Sequence, residues 1–235
     1  MGNSLKLDSE ILKGVKLFKD LSEDELAVVT SMVNTLNVIA GEYIFHEGDP
    51  ADYLYILKKG RIKLAQVNLE GEQIIIHFGT PGDAIGVVAV LSNIPYPVSA
   101  LAIDDSIIYY WDTKQMNLLM EKFPQITLNA LRILAGRIQA FQNRMLELST
   151  ERVERRIANA LIRLARQTGV KTPDGVLIDI QLTRQDLAEL SGTTLYSVSR
   201  IIAKWEKMGL VISRRAQVVI TNAHGLVTIA EDLPK

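Results

Sequence analysis

The side chains best placed to do chemistry in this chain lie in Leu182–Leu210, LTRQDLAELSGTTLYSVSRIIAKWEKMGL, and the chemistry is the gripping of a polyanion rather than bond making. Thr183 and Gln185 begin one helical pattern and Thr194 begins a second, where backbone N–H groups dock phosphates. On the second helix Leu195, Tyr196, Ser199, Arg200 and Lys204 share a face, with Ser197 in reach. Arg200 has the fork that pairs with a guanine edge, and Leu195 or Tyr196 could meet a thymine methyl. Arg214 and Arg215 add a basic tip for a flanking phosphate. A second set, His46, Glu47 and His77, has ligand types that suit iron or zinc, as in a cupin-like metalloenzyme fused to a winged helix. Neighbouring strand residues point to opposite faces, so His46 and Glu47 would diverge. The chain also lacks a His-x-His pair and a Walker-type phosphate loop. The expectation is therefore no enzyme and no catalytic residue, with the metalloenzyme as the remote alternative.

Two short helices and a hairpin must position the first set. Thr183 is an N-cap with Asp186 three residues on, and Leu187 and Leu190 give the apolar spacing around a small Ala188. Gly192 ends the helix and Thr194 caps the next. There Val198, Ile201, Ile202 and Trp205 form one apolar stripe, and Gly209 closes it. Leu210–Ser213 and Gln217–Thr221 read as a hairpin around the arginine tip. Caps, turn glycine, stripe and basic tip agree on a winged helix-turn-helix, against the plainer alternative of a helical hairpin inside a larger core. Such a motif lays its second helix in the major groove of double-stranded DNA.

Charge supports that division of labour. From residue 150 on there are 13 lysines and arginines against 9 acids, net +4, and the preceding 149 residues hold 13 against 18, net −5. A basic half beside an acidic half suits one half meeting phosphate. No apolar run is long enough to cross a membrane and no signal peptide is present, so a cytoplasmic protein is expected. With no cysteine there can be no disulfide, thiolate metal site or cysteine-held iron–sulfur cluster.

Upstream, residues 9–35 read as a helical lead-in. Short apolar segments punctuated by glycine then follow: Val38–Ile39, Tyr43–Phe45, Tyr53–Leu57, Arg61–Val67, Gln73–Phe78, Val98–Ala102 and Ile107–Trp111. Many short strands suggest a closed roll, whose inside can hold a ligand. After Pro124, Leu131, Leu134, Ile138, Phe141, Met145 and Leu148 repeat at 3-4 spacing. That is a seam for a second copy of the chain, weakest at Gly136, or for the chain's own core. Ser149 and Thr150 read as caps of a fresh helix, with a hinge at 147–152, a helix at 153–167 and a loop at 168–175 that turns at Pro173-Asp174-Gly175.

This order resembles the Crp/Fnr family of bacterial transcription regulators over about residues 10–230. The carriers are GEYIFHEGD from Gly41, YILKKGRIK from Tyr55, PGDAIG from Pro81, LTRQD from Leu182, and Ser199-Arg200. The resemblance implies an α+β chain of three parts. Residues 1–123 would form a double-stranded β-helix, a jelly roll like that of cyclic-nucleotide-binding domains. Residues 124–149 would be a long dimerisation helix and 150–235 a winged helix-turn-helix. It also implies a homodimer on a palindromic operator, and contact with RNA polymerase through 168–175 if the protein activates. Departures bear on the effector. The family's ribose-binding Glu is Val87 here, and its Arg-Ser pair for the cyclic phosphate is replaced by Pro97-Val98-Ser99. Phe141 and Gln142 stand where small hydroxyl residues meet the base. A phosphate buried without a cation is costly, so cAMP is not expected. The apolar cassette Ile85, Val87, Val88, Ala89, Val90, Leu91, Ile94 and Val98, facing Phe141 and Met145, resembles that of the cysteine-free nitrosative-stress branch, for which haem is proposed. His46 and His77 would be the axial-ligand candidates. Another small effector, none at all, or simple core packing are the alternatives. The family's base-reading Glu, three residues before Ser199, is Tyr196 here, so an unusual half-site is expected.

Overall fold

The computed structural model describes residues 10–71 and 73–232. Residue 9, the expected start of the helical lead-in, and the outer domain limits 1 and 235 lie outside them. The chain forms two compact units. One takes in the described residues to Gln66 with Ile76–Ala140, and the other Val67–Ile75 with the residues from Phe141 onward.

In the first unit the described residues begin helical, at 10–13, and continue through a 3-10 turn, Lys16–Phe18, to a helix α1, Glu23–Ser31. A reciprocal capping box starts α1: Glu25 N–H donates to the Ser22 hydroxyl at 3.3 Å and Ser22 N–H to the Glu25 carboxylate at 2.7 Å. Eight strands follow, β1 Asn34–Val38, β2 Tyr43–Phe45, β3 Tyr53–Lys59, β4 Ile62–Val67, β5 Gln73–Gly79, β6 Ala84–Ile85, β7 Ser99–Ala102 and β8 Ser106–Asp112. Between β6 and β7 sits α2, Val87–Ser92, and after β8 come α3, Thr113–Lys122, and α4, Pro124–Thr150. The strands make two four-stranded sheets, β1-β8-β3-β6 and β2-β7-β4-β5.

Alternation along β3 and β8 builds two cores. Leu54 and Ile56, with Tyr109 and Trp111, pack against Leu12, Phe18, Met116, Leu119 and Ile126 of the helical side. Tyr55, Leu57 and Ile108 turn into the roll and meet Phe45, Ile62, Leu64, Ile85, Tyr96 and Ala100. Gly60 closes the β3–β4 turn at φ +93, and a Cβ there would lie 2.8 Å from the Ser106 backbone, so only glycine fits.

Four strands depart from the expectations. The lead-in ends at Ser31, and β1 begins at Asn34, pairing with Tyr110, rather than at Val38. Only Val38 of NTLNV is buried, so the strand carries no alternation to read. The two-residue β6 pairs Tyr55 with Ile85 and is too short for periodicity to mark. In the second unit, residues 169–175 are not a loop. Strand β9, Gly169–Thr172, and strand β10, Gly175–Ile178, form a hairpin whose turn is the expected Pro173-Asp174-Gly175.

That second unit contains α5, Val153–Thr168; α6, Arg184–Ser191; α7, Leu195–Lys207; β11, Val211–Arg214; β12, Gln217–Ile220; and α8, Ala223–Glu231. One sheet, β11-β12-β10-β9, carries the wing. Ile157, Leu161, Leu187, Val198, Ile202, Trp205 and Leu226 are fully buried at its centre. Ser149 and Thr150 are not caps. They lie in the last turn of α4, where the Thr150 hydroxyl donates back to the Leu146 carbonyl at 2.8 Å, and Arg152 takes the N-cap position of α5 without a side-chain cap. The tail of α4 is held to α5 by Arg163, whose guanidinium bonds the Glu147 carboxylate at 2.6 and 2.7 Å. α4 runs through Gly136 without a break, from Pro124 to Thr150.

Candidate nucleic-acid interface

The candidate interface begins with two capped helices. Thr183 and Asp186 form a reciprocal box: Asp186 N–H donates to the Thr183 hydroxyl at 3.0 Å, and Thr183 returns both its N–H and its hydroxyl to the Asp186 carboxylate at 2.9 and 2.6 Å. Gly192, left-handed at φ 56, ends α6. Thr194 caps α7 by accepting from Ser197 N–H at 3.2 Å, and its hydroxyl donates to Ser197 Oγ at 3.1 Å.

On α7 the stripe Val198, Ile201, Ile202 and Trp205 is buried. The opposite face is a line one helical turn apart: Tyr196, Arg200, Ala203 and Lys207, all exposed, with Tyr196 at 77%. Leu195 is exposed at the helix start, and Ser199 sits half-buried on one flank. The sequence reading placed Arg200 and Tyr196 here but missed Ala203 and Lys207, which the same i+3/i+4 arithmetic counted outward from Tyr196 would have found.

The expected phosphate contacts have partners of their own. The Thr183 hydroxyl and N–H are engaged by Asp186, and the Gln185 amide donates to Glu189 at 3.0 Å. Arg214 pairs with Asp174 in the β9–β10 turn at 3.1 Å. Lys204 is not on the outward line. Its ammonium bonds Glu154 of α5 at 2.9 and 3.3 Å. Arg215 is exposed in the two-residue wing turn with Ala216, which is left-handed at φ 52. Beside this turn Thr183, Arg184, Arg214 and Arg215 rim a recess of about 340 Å³ floored by Leu187, Ile202 and Val218. With Arg214 held by Asp174, the guanidiniums of Arg184 and Arg215 near the N-terminus of α6 are the ones that make the recess receptive to an anion.

In the first unit the apolar cassette is mostly core. Ile85, Val87, Ala89 and Val90 are buried, Val88, Leu91 and Val98 are half-buried, and Ile94 is exposed. Inside the roll Phe45 stacks on Tyr96 at 3.8 Å between ring centres and on Tyr55 at 5.6 Å. The Tyr96 hydroxyl donates to the Tyr53 carbonyl at 2.6 Å and accepts from Tyr53 N–H at 3.2 Å. Burial pushes the Tyr55 and Tyr96 phenols up, so both are neutral. Beyond Tyr96, the Pro97 carbonyl accepts from Gln66 at 2.8 Å and the Ser99 hydroxyl accepts from Glu47 N–H at 2.9 Å.

His46 is exposed and its ring lies 4.3 Å from that of Tyr43, whereas His77 Nε2 stands 3.5 Å from Asp83. Burial works to raise the Asp83 carboxyl, but hydrogen bonds from His77 and Thr80 outweigh it and hold it below the usual range. Arg137 of α4 donates to the Ala84 carbonyl at 2.5 Å, and burial lowers its guanidinium, partly offset by Asp83. No group of His, Cys, Asp or Glu among the described residues is arranged to hold a metal ion. On α4, Leu131, Ile138, Phe141, Met145 and Leu148 are exposed, with Ile138 at 60% and Phe141 at 62%; Leu134 packs on the first unit's helical core, and Gln142 is exposed.

Residues 35–123 match the cyclic nucleotide-binding domain, and residues 155–229 match the Crp-like helix-turn-helix domain. The chain is 24% identical over 217 residues to the CRP-like cAMP-activated global transcriptional regulator of Mycobacterium tuberculosis, covering 92% of this chain and 97% of that one. It is 26% identical over 211 residues to the fumarate and nitrate reduction regulatory protein of Salmonella typhimurium, covering 89% and 84%. The solved structure of FixK2 from Bradyrhizobium japonicum is similar in fold, with a TM-score of 0.74 at 23% identity over 84% of this chain and 96% of that one.

Proposed function

We propose that this chain, which belongs to the Crp/Fnr family of transcription regulators, acts as a homodimer on a palindromic operator, under a control other than cAMP. It binds DNA through its helix-turn-helix and is not an enzyme. The observation that carries the reading is the line Tyr196, Arg200, Ala203 and Lys207, presented by a helix whose other face is locked into a core. Arg200 would read a base edge, and Tyr196, with Leu195, would lie against thymine methyls. The recess rimmed by Arg184 and Arg215 would take a flanking phosphate. Two such helices, one per protomer, would enter the major groove about one helical turn apart. Arg200→Ala should weaken binding to an operator obtained by selection by roughly 1–3 kcal/mol and relax one base position. Equal weakening on every sequence would reduce Arg200 to a phosphate contact.

The effector reading rests on the interior of the roll. The Mycobacterium relative is described as cAMP-activated. Here Phe45, Tyr55 and Tyr96 fill the interior, and Pro97-Val98-Ser99 brings no cation for a cyclic phosphate. Calorimetry with cAMP should find no micromolar binding, and finding it would overturn this reading. A haem in the roll would need an axial ligand, and of the candidates His46 lies exposed against Tyr43 while His77 stands 3.5 Å from Asp83. Either a smaller apolar molecule entering beside the aromatic stack, or control without a ligand, suits these side chains better. If the regulator activates, the β9–β10 hairpin is the segment to test against RNA polymerase. No helix among the described residues is long and apolar enough to cross a membrane, and we place the protein in the cytoplasm with its DNA.

A further inference from the structure

Glu154 sits in the first turn of α5, where a carboxylate is favoured by the exposed N–H groups. It reaches across to the far end of α7. Its Oε1 accepts from the Trp205 indole N–H at 2.9 Å and from the Lys204 ammonium at 2.9 Å, and Oε2 accepts from Lys204 at 3.3 Å. Trp205 is wholly buried, so its single donor has one fixed direction. Lys204 is exposed and lies on the flank of the outward line, one turn beyond Arg200. Burial would raise the Glu154 carboxyl. The hydrogen bonds of Lys204 and Trp205, with the charges of Lys204 and Arg200, outweigh that and hold it below its ordinary value, so it is ionised at neutral pH.

We infer that Glu154 is a positioning and specificity-determining residue: it pins α7 through the Trp205 indole and withholds Lys204 from the DNA backbone. The inference rests on the reading of α7 as the groove-entering helix. Each lysine that reaches a phosphate strengthens binding to every sequence alike and steepens its salt dependence, while adding nothing to base discrimination. A cation held on Glu154 leaves the energy of α7 weighted toward Arg200 and its neighbours. Glu154 thus lowers total affinity and raises the ratio of operator to random binding.

The test compares the full-length protein with Glu154→Gln, Lys204→Gln and the double variant, titrated across a salt series against a selected operator and a random duplex of equal length. Glu154→Gln keeps an oxygen for Trp205 but loses the charge. It should bind random duplex roughly three- to tenfold more tightly at low salt and steepen the log K against log salt slope by about 0.9. Its operator-to-random ratio should fall, while its melting temperature stays near that of the parent. In the Lys204→Gln background the same change should leave the slope where it was. An unchanged slope and ratio in Glu154→Gln, or a slope that Lys204→Gln alone makes shallower, would overturn the inference, the latter because Lys204 would already be on phosphate. If the parent itself does not prefer its selected operator to random duplex, the groove reading of α7 fails instead, a result that no Glu154 variant can produce.

Discussion

Replacing Ile138 and Phe141 together by Asp should yield a folded monomer that has lost its operator. In the single chain Ile138 is 60% and Phe141 62% exposed, beside Leu131, Met145 and Leu148 on the same stripe of α4. Removing them from this surface creates no cavity, and two aspartates in a 27-residue helix cost only their propensity, up to about 0.7 kcal/mol each. In a dimer the stripe would be the seam, where each apolar side chain fully buried contributes about 1.5–3 kcal/mol and symmetry doubles every contribution. Facing aspartates would also bury like charges. Sedimentation should therefore find a dimer in the parent and a monomer in the variant at micromolar concentration. Operator affinity should fall on the order of 100-fold or more, because two tethered half-site contacts become two independent ones. Near-equal melting temperatures would show that the fold is intact. A variant that stays dimeric would move the subunit interface elsewhere.

Trp205→Ala should unfold the DNA-binding half of the molecule, or come close to doing so. The indole is fully buried among Val198, Ile201 and Ile202 on its own helix and is bonded to Glu154. Truncating a buried tryptophan costs about 3–5 kcal/mol, against a total domain stability of roughly 5–15 kcal/mol. Trp205→Phe keeps most of the volume and loses the N–H donor, so it should cost less than half as much. Denaturant unfolding followed by circular dichroism would check both. An alanine variant within about 1 kcal/mol of the parent would mean that the neighbours collapse into the space.

The parts of this molecule that local chemistry specifies were readable from its residues. Thr183, Asp186, Gly192 and Thr194 sit at their caps, and the stripe from Val198 to Trp205 is buried, because cap preference and helical period are short-range properties. Strand β1 was not readable, since four of its five residues are exposed and its place is set by Tyr110 and its neighbours on β8. Helix α8 was overlooked, although Asn222 as cap, with Leu226 and Ala230 buried four apart, was a usable signal. The candidate site divides in the same way. Arg200 and Tyr196 followed from spacing. That Lys204 is held by a carboxylate 50 residues earlier, and Arg214 by one 40 earlier, is tertiary information that no window on the sequence contains. The Glu154 carboxylate that holds Lys204 is one such partner, out of view of any local pattern.

The chain has two tryptophans, one in each compact unit. Trp111 is fully enclosed in the first, its indole donating to the Val29 carbonyl at 3.1 Å with the Phe18 ring edge-on at 5.4 Å, and Trp205 is fully enclosed in the second. With no cysteine to quench or crosslink, each unit therefore carries its own built-in optical reporter. Replacing either tryptophan by phenylalanine leaves an emission signal that belongs to a single unit. The effect of an effector on the roll and of DNA on the winged helix can then be followed separately, in the same solution and without any added label.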